Sequence, residues 1–223
     1  MTPTLPPVIT IDGPTASGKG TVAQKVAHAL GFHYLDSGSL YRLTAYLALQ
    51  ENIPLNNESA LSQIAAHLPC TFINNEILYK DNNIAPLLRK EEVGNAASKI
   101  AALPKVREAL LQFQLTYRTA PGLVTDGRDM GTVVFPDAIL KVFLTASVAK
   151  RAERRYKQLI ENGFSASIND LLQDLRARDE RDTQRTHAPL VPASGAYTLD
   201  TSDMTIEEAV SKVLAQYTHH IMQ

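Results

Sequence analysis

The chain has 223 residues, 44% of them apolar and 20% charged, with a formal net charge of −1. That balance suits a soluble globular protein with one main core and room for a second, smaller unit. It lacks the excess of Lys and Arg that bulk binding to nucleic acid or a membrane surface requires.

The opening MTPTLPPVITID has no basic start followed by a long apolar stretch, so no signal peptide is expected. No segment approaches the ~20 apolar residues that span a bilayer. The lone cysteine, Cys70, cannot close an internal disulfide and reads as small apolar filler. The expected setting is the cytoplasm, and the expected state a monomer.

In chain order, the β-branched run 8–11 predicts a buried strand that feeds the turn at Asp12-Gly13. Val22, Val26, Ala27 and Leu30 recur at helical spacing over 19–30, and Gly31 closes that helix. A strand is expected at 32–35 and helices at 38–50 and 56–68, the last capped by Asn56 or Asn57. From Cys70 the pattern changes to short hairpin strands at 71–73 and 77–79 with a turn over 80–83. Helices follow at 91–102 and 104–118, the second with Pro104 in its first turn. Strands at 123–126 and 139–144, helices at 148–160 and 168–185, a strand at 197–199 and a terminal helix from 206 complete the chain.

Strands alternating with helices predict an α/β fold with a parallel sheet covered on both faces, in the manner of the P-loop kinases. The antiparallel interruption predicts an insertion over 68–100. The expected division is a core of 1–67, 101–160 and 190–223 and that insertion, with a lid over 161–189 expected from the arginine-rich run it holds.

The stretch Gly13-Pro14-Thr15-Ala16-Ser17-Gly18-Lys19 fits G-x-x-x-x-G-K after a strand and before a helix. Its glycines let successive N–H groups turn inward on anionic oxygens, the helix N-terminus adds its dipole, and Lys19 adds a mobile positive charge. Gly20 follows the lysine, where a Mg²⁺-holding hydroxyl is usual, and the hydroxyl is displaced to Thr21. More of the metal shell would then come from water and from the two substrates. G-K-G-T resembles the nucleoside monophosphate kinases, so the acceptor is expected to be a phosphate-bearing nucleotide.

Transfer between two anions needs cations around the moving group, and the planar fork of arginine grips phosphate best. Arg42 stands one turn into a helix beside a predicted strand end, where open α/β sheets bind ligands. Asp126-Gly127-Arg128-Asp129-Met130-Gly131 follows a strand directly. Asp126 is placed to organise a Mg²⁺ shell or its waters, and Arg128 to hold acceptor phosphate. In the arginine-rich run 176–185, Arg178, Asp182 and Arg185 fall at i, i+4 and i+7 on one helical face. A solvated helix laced with weak ion pairs is the plainer account of that run.

The pieces ITIDGPTASGKGT, LDSGSLYR, EVGNAAS, VREALL, TDGRDMGTVVFPDA, RARDERD and APLVPA resemble the bacterial cytidylate kinases. That resemblance implies a five-stranded parallel core flanked by helices, an enlarged mixed α/β monophosphate-binding insertion and a helical lid. It implies phosphorylation of CMP and dCMP by ATP with Mg²⁺. Residue by residue, it implies ATP binding by Gly13, Pro14, Thr15, Ala16, Ser17, Gly18, Lys19, Gly20 and Thr21. It implies a phosphate clamp of Arg42, Arg128 and Arg185 with Ser37 and Tyr41 beside it, and ribose contacts from Arg178 and Asp182. Lys19, Arg128, Arg178 and Arg185 would be the catalytic cations, and Ser98, Arg107 and Asp129 would read the base.

An acid at Asp129 can accept from the cytosine amine, whereas uracil presents a carbonyl there and leaves the acid unmatched. No strong direct metal ligand is evident: Thr21 and Asp126 are candidates through water, and His219-His220 read as solvated tail residues. Two features depart from the resemblance. The Asn74-Asn75-Glu76 connection is short, and Gly94 sits in a helix. The rivals are another small P-loop kinase acting on UMP, AMP or a non-nucleotide acid, and a nucleotide-dependent switch, although no N-K-x-D guanine reader is present.

Overall fold

A computed structural model describes residues 5–73, 76–80, 82–161 and 163–222, with the backbone alone at 70–73 and 76–77. The chain divides into two compact units, Met1–Leu35 with Arg118–Gln223, and Asp36–Tyr117.

The first unit is built on β1 (Val8–Asp12), whose five residues are all buried. The phosphate-loop sequence leads from it into α1 (Lys19–Leu30), which ends at Gly31 in the left-handed conformation. β2 (His33–Asp36) closes this first segment. The second unit begins with α2 (Ser37–Gln50) and α3 (Glu58–Ala66). Asp36 caps α2 by accepting from the Ser39 amide at 3.1 Å, and Asn57 caps α3 by accepting from the Ala60 amide at 3.2 Å. β3 (Cys70–Ile73), β4 (Glu76–Tyr79) and β5 (Asn82–Asn83) form a three-stranded sheet, followed by α4 (Ala85–Leu88), α5 (Glu91–Ile100) and α6 (Pro104–Thr116).

The first unit resumes with β6 (Leu123–Gly127), a single π-helical turn at Met130–Val134, and β7 (Leu140–Thr145). α7 (Val148–Glu161), α8 (Ile168–Thr183), β8 (Tyr197–Asp200) and α9 (Ile206–Ile221) complete it. Thr205 and Glu208 start α9 with reciprocal side-chain-to-backbone hydrogen bonds.

The five strands of the first unit form a sheet in the order β2-β6-β1-β7-β8. The pairings of β1 with β6, β1 with β7 and β7 with β8 are parallel. Parallel strands need crossover helices, and the faces those helices cover are apolar. Ile9, Ile11, Val22, Val26, Val124, Val142, Leu144 and Val213 pack together in that core. A smaller cluster of Ala152, Leu159, Leu171 and Leu175 joins α7 to α8. The second unit has its own apolar centre, built from Leu43, Leu47, Ile84, Leu88 and Val93. Gly94 is buried within α5.

Three local features differ from expectation. The turn foreseen at 80–83 instead carries a third strand, because the backbones of Asn82 and Asn83 pair with Tyr79 and Leu78. α4 has only four residues, too few to show a period. The π-helical turn reflects contacts with β1 that composition does not display. The side chain of Cys70, the Asn74-Asn75 connection and Asp81 lie outside the described residues.

Candidate active site

Burial forces the phosphate loop's shape before any ligand is considered. A Cβ on Gly13 would lie 2.0 Å from the Leu144 carbonyl oxygen, so only glycine lets the loop leave β1 this close to β7. The amide of Gly13 donates to the Gly127 carbonyl at 3.3 Å, which ties the loop to the tip of β6. Gly18, with φ of 93°, turns the chain into α1. Lys19 Nζ lies 3.4 Å from the Pro14 carbonyl, folded back over the loop it serves. The Ser17 hydroxyl is buried without a hydrogen-bond partner.

Three arginines hold this loop. Arg128 Nη2 donates to Thr15 Oγ1 at 2.6 Å, Arg151 Nη1 to the Thr15 carbonyl at 3.1 Å, and Arg154 Nη1 to the Ser17 carbonyl at 3.1 Å. Arg151, buried on α7, also forms a two-pronged ion pair with Asp179 of α8 at 3.0 and 2.5 Å. Arg154 reaches the Thr201 hydroxyl and carbonyl after β8. Arg151 and Arg154 were not singled out from sequence. Their i, i+3 spacing in AKRAERR is legible, but a solvated helix shows the same pattern.

Gly20 faces a polar pair. Tyr34 donates to Asp126 Oδ1 at 2.8 Å. A Cβ on Gly20 would lie 3.5 Å from the Tyr34 hydroxyl and 3.7 and 3.8 Å from the two Asp126 oxygens. The buried acid thus stands beside the position where a metal-holding hydroxyl is usual, and Thr21 is exposed on the first turn of α1. Among the described residues no group of three or more His, Cys, Asp or Glu is placed to hold a metal ion. One carboxylate is a donor set that fits Mg²⁺, which keeps several waters and takes phosphate oxygens.

The loop after β6 is anchored by an acid absent from the sequence-derived site. Asp12, the last residue of β1, accepts from the Met130 amide at 2.9 Å and the Gly131 amide at 2.8 Å. Burial pushes its carboxyl up to about 6, against the two amides and Arg128, with Asp129 adding to the rise. Asp129 itself is buried at the start of the π-helical turn, its carbonyl accepting from Val133 and Val134.

Asp182 brings two of the expected cations together. Its Oδ2 accepts from Arg128 Nε at 2.8 Å and its Oδ1 from Arg185 Nη2 at 2.5 Å. Burial alone would push the Asp182 carboxyl up, but the two guanidiniums outweigh it and hold it below the usual range. Arg178 and Asp182 are both on the buried face of α8, so the plainer account of a solvated helix does not hold for them. Arg185 lies just past the Gln184 cap, beyond the helix on which it was expected. Its Nε is buried without a partner.

Within the second unit, Ser37 opens α2 and is buried, as is Tyr41. Arg42 Nη1 donates to the Leu88 carbonyl at 3.1 Å. Arg107 Nη1 donates to the Ala101 carbonyl at 3.1 Å, and its guanidinium carbon sits 5.9 Å from the centre of the Tyr41 ring. Ser98 is half-buried on α5. His219 and His220 are exposed in the last turn of α9.

A glycine-bounded anion cradle between β1 and α1 of a parallel sheet, ringed by arginines, defines a P-loop phosphotransferase. A family model described as cytidylate kinase matches residues 9–219. The chain belongs to the cytidylate kinase family. It is 58% identical to the cytidylate kinase of Ralstonia nicotianae over 211 residues, covering 95% of this chain and 92% of that one. It is 59% identical to the cytidylate kinase of Ralstonia pickettii over 211 residues, covering 95% and 91%. An uncharacterized protein from Eubacterium ventriosum shares the fold at a TM-score of 0.53 and 10% identity, over 94% of this chain and 97% of that one. No helix among the described residues is long and apolar enough to cross a membrane.

Proposed function

We infer that the protein moves the terminal phosphoryl group of ATP onto CMP and dCMP, giving ADP with CDP or dCDP. Family membership over residues 9–219 supports this. The observation that carries it is Asp182 drawing Arg128 and Arg185 together, with Arg128 also on Thr15 of the phosphate loop. Two half-buried cations gathered on one buried acid thus adjoin the ATP cradle, and Arg185 Nε is buried there without a partner.

The attacking oxygen already belongs to a phosphate, so no general base is needed, and positioning with charge neutralisation accounts for catalysis. Gly13 to Thr21 hold the ATP phosphates, and Lys19 follows the transferring group. Arg128 and Arg185 take the CMP phosphate, while Arg178 and Asp182 meet the ribose. Arg42, Ser37 and Tyr41 are the phosphate contacts of the second unit. Asp129 accepts from the cytosine amine; Ser98 and Arg107 donate to the ring acceptors. Mg²⁺, when bound, neutralises phosphate charge, and Asp126 would hold it through water, with Thr21 as an outer partner.

In this reading 1–67, 101–160 and 190–223 are the core and 68–100 the monophosphate-binding insertion. Residues 161–189 form a lid that delivers Arg178, Asp182 and Arg185 and excludes water. The enzyme works as a cytoplasmic monomer on small nucleotides alone.

Release of ADP measured against CMP, dCMP, UMP and AMP tests the reading. CMP and dCMP are expected to turn over at least ~100-fold better in kcat/KM than UMP or AMP, since a mismatched buried polar group is costly. Equal rates on all four, or GTP binding without acceptor-dependent turnover, would overturn it.

A further inference from the structure

We propose that Asp12 is a positioning residue for the acceptor nucleotide: its backbone and side chain together fix the two-residue span that carries Arg128 and Asp129. This deepens the reading in which those two residues bind CMP, and rests on it.

The geometry is a span pinned at both ends by one residue. On one side Asp12 is the register partner of Gly127 in the parallel ladder. On the other, its carboxylate takes the amides of Met130 and Gly131 at 2.9 and 2.8 Å, one on each oxygen. Only Arg128 and Asp129 lie between those anchors. The far anchor has no slack, because a Cβ on Gly131 would come within 2.7 Å of Thr10 Oγ1 on the same strand. With the backbone held on both sides, the directions in which Arg128 and Asp129 leave it are fixed. Arg128 is thereby directed to Thr15 and Asp182, and Asp129 is buried.

An acid is unusual here for packing alone. Asp12 is 4% exposed at the end of a strand whose other members are Val, Ile, Thr and Ile, and a buried carboxylate costs far more than an apolar side chain. Two consecutive inward-pointing amides explain the choice. Asparagine supplies one acceptor and turns an N–H₂ group on the second amide; an apolar residue leaves both unsatisfied. The charges that face the acid are Arg128, which favours its ionised form, and Asp129, which opposes it. Lys141, on β7, passes its stem beside Gly131.

Asp12→Asn, assayed for CMP, UMP and ATP at pH 5 to 8.5, tests the proposal. The expected result is a KM for CMP raised about tenfold or more, with the CMP-over-UMP preference reduced by a similar factor and the KM for ATP changed less than about threefold. Below pH 6 the wild type is expected to lose kcat/KM for CMP relative to Asp12→Asn, because a protonated acid no longer serves both amides. A merely structural residue would move both substrates together. The same factor on CMP and ATP, or CMP kinetics within twofold of wild type, overturns the proposal. Should Asp12→Asn not fold, Asp12→Glu is read by the same two KM values, because its longer stem displaces the span while keeping the acid. Asp129→Asn runs alongside. If it keeps the full preference for CMP, the base-reading assignment fails; if it loses that preference and Asp12→Asn does not, only the role of Asp12 fails.

Discussion

At the scale of single residues, the two ends of the phosphate loop carry glycine for different reasons. A methyl group on Gly13 would sit 2.0 Å from the Leu144 carbonyl, a backbone atom that cannot yield without moving β7. On Gly20 the same group meets the Tyr34 hydroxyl at 3.5 Å, an ordinary contact. Gly13→Ala is therefore expected to lose more than about 3 kcal/mol of stability, and Gly20→Ala to stay within about 1 kcal/mol of wild type. Urea denaturation of both variants checks this, and similar losses would contradict it. The motif itself was readable as text, since a glycine–lysine pair after a β-branched strand has few other uses. What it did not disclose was which glycine is sterically compelled. That depends on β7, whose sequence lies far from the loop. Asp12 escaped for a related reason, since one acid at a strand end looks like a turn residue until the amides it faces are known.

Among elements, α7 and α8 show how a charged helix can still be a packed one. Their shared apolar contact is small, Ala152 and Leu159 against Leu171 and Leu175, and the ion pair of Arg151 with Asp179 lies beyond it. Leu175→Ala removes a side chain that is 3% exposed from this thin seam. The expected cost is about 2–4 kcal/mol in urea unfolding, and a loss below 1 kcal/mol would show that the seam is not held by packing. Strong strands such as VITID and LKVFLT were visible in sequence because β-branched and apolar runs leave few alternatives. α4, β5 and the π-helical turn were not, because none is long enough to repeat its own pattern and each is fixed by distant neighbours. The arginine-rich run 176–185 stands out in sequence, yet which of its members turn inward is decided by packing, and Arg178 and Asp182 are the charged ones on the buried face of α8.

For the molecule as a whole, two buried acids pull stability in opposite directions along the pH axis. Asp182, held low by Arg128 and Arg185, stabilises the fold above the ordinary carboxylate range and loses that contribution as pH falls through its depressed value. Asp12, raised from 3.8 to about 6, does the reverse: its contribution is greatest in acid and is lost as pH rises between those two values. Wild type is therefore expected to lose about 2 kcal/mol relative to Asp12→Asn between pH 4 and 7, read from paired denaturation curves. A difference that does not vary with pH would mean Asp12 is not buried as an acid. The strand order also has an outcome for biogenesis. β1 leaves the ribosome before either strand it pairs with yet lies at the centre of its sheet, and those partners begin at Leu123 and Leu140, after the whole of Asp36–Tyr117 has been made. Throughout that interval the nascent chain carries an apolar strand with both edges open, the condition that invites chaperone capture and that makes parallel sheets slow to assemble.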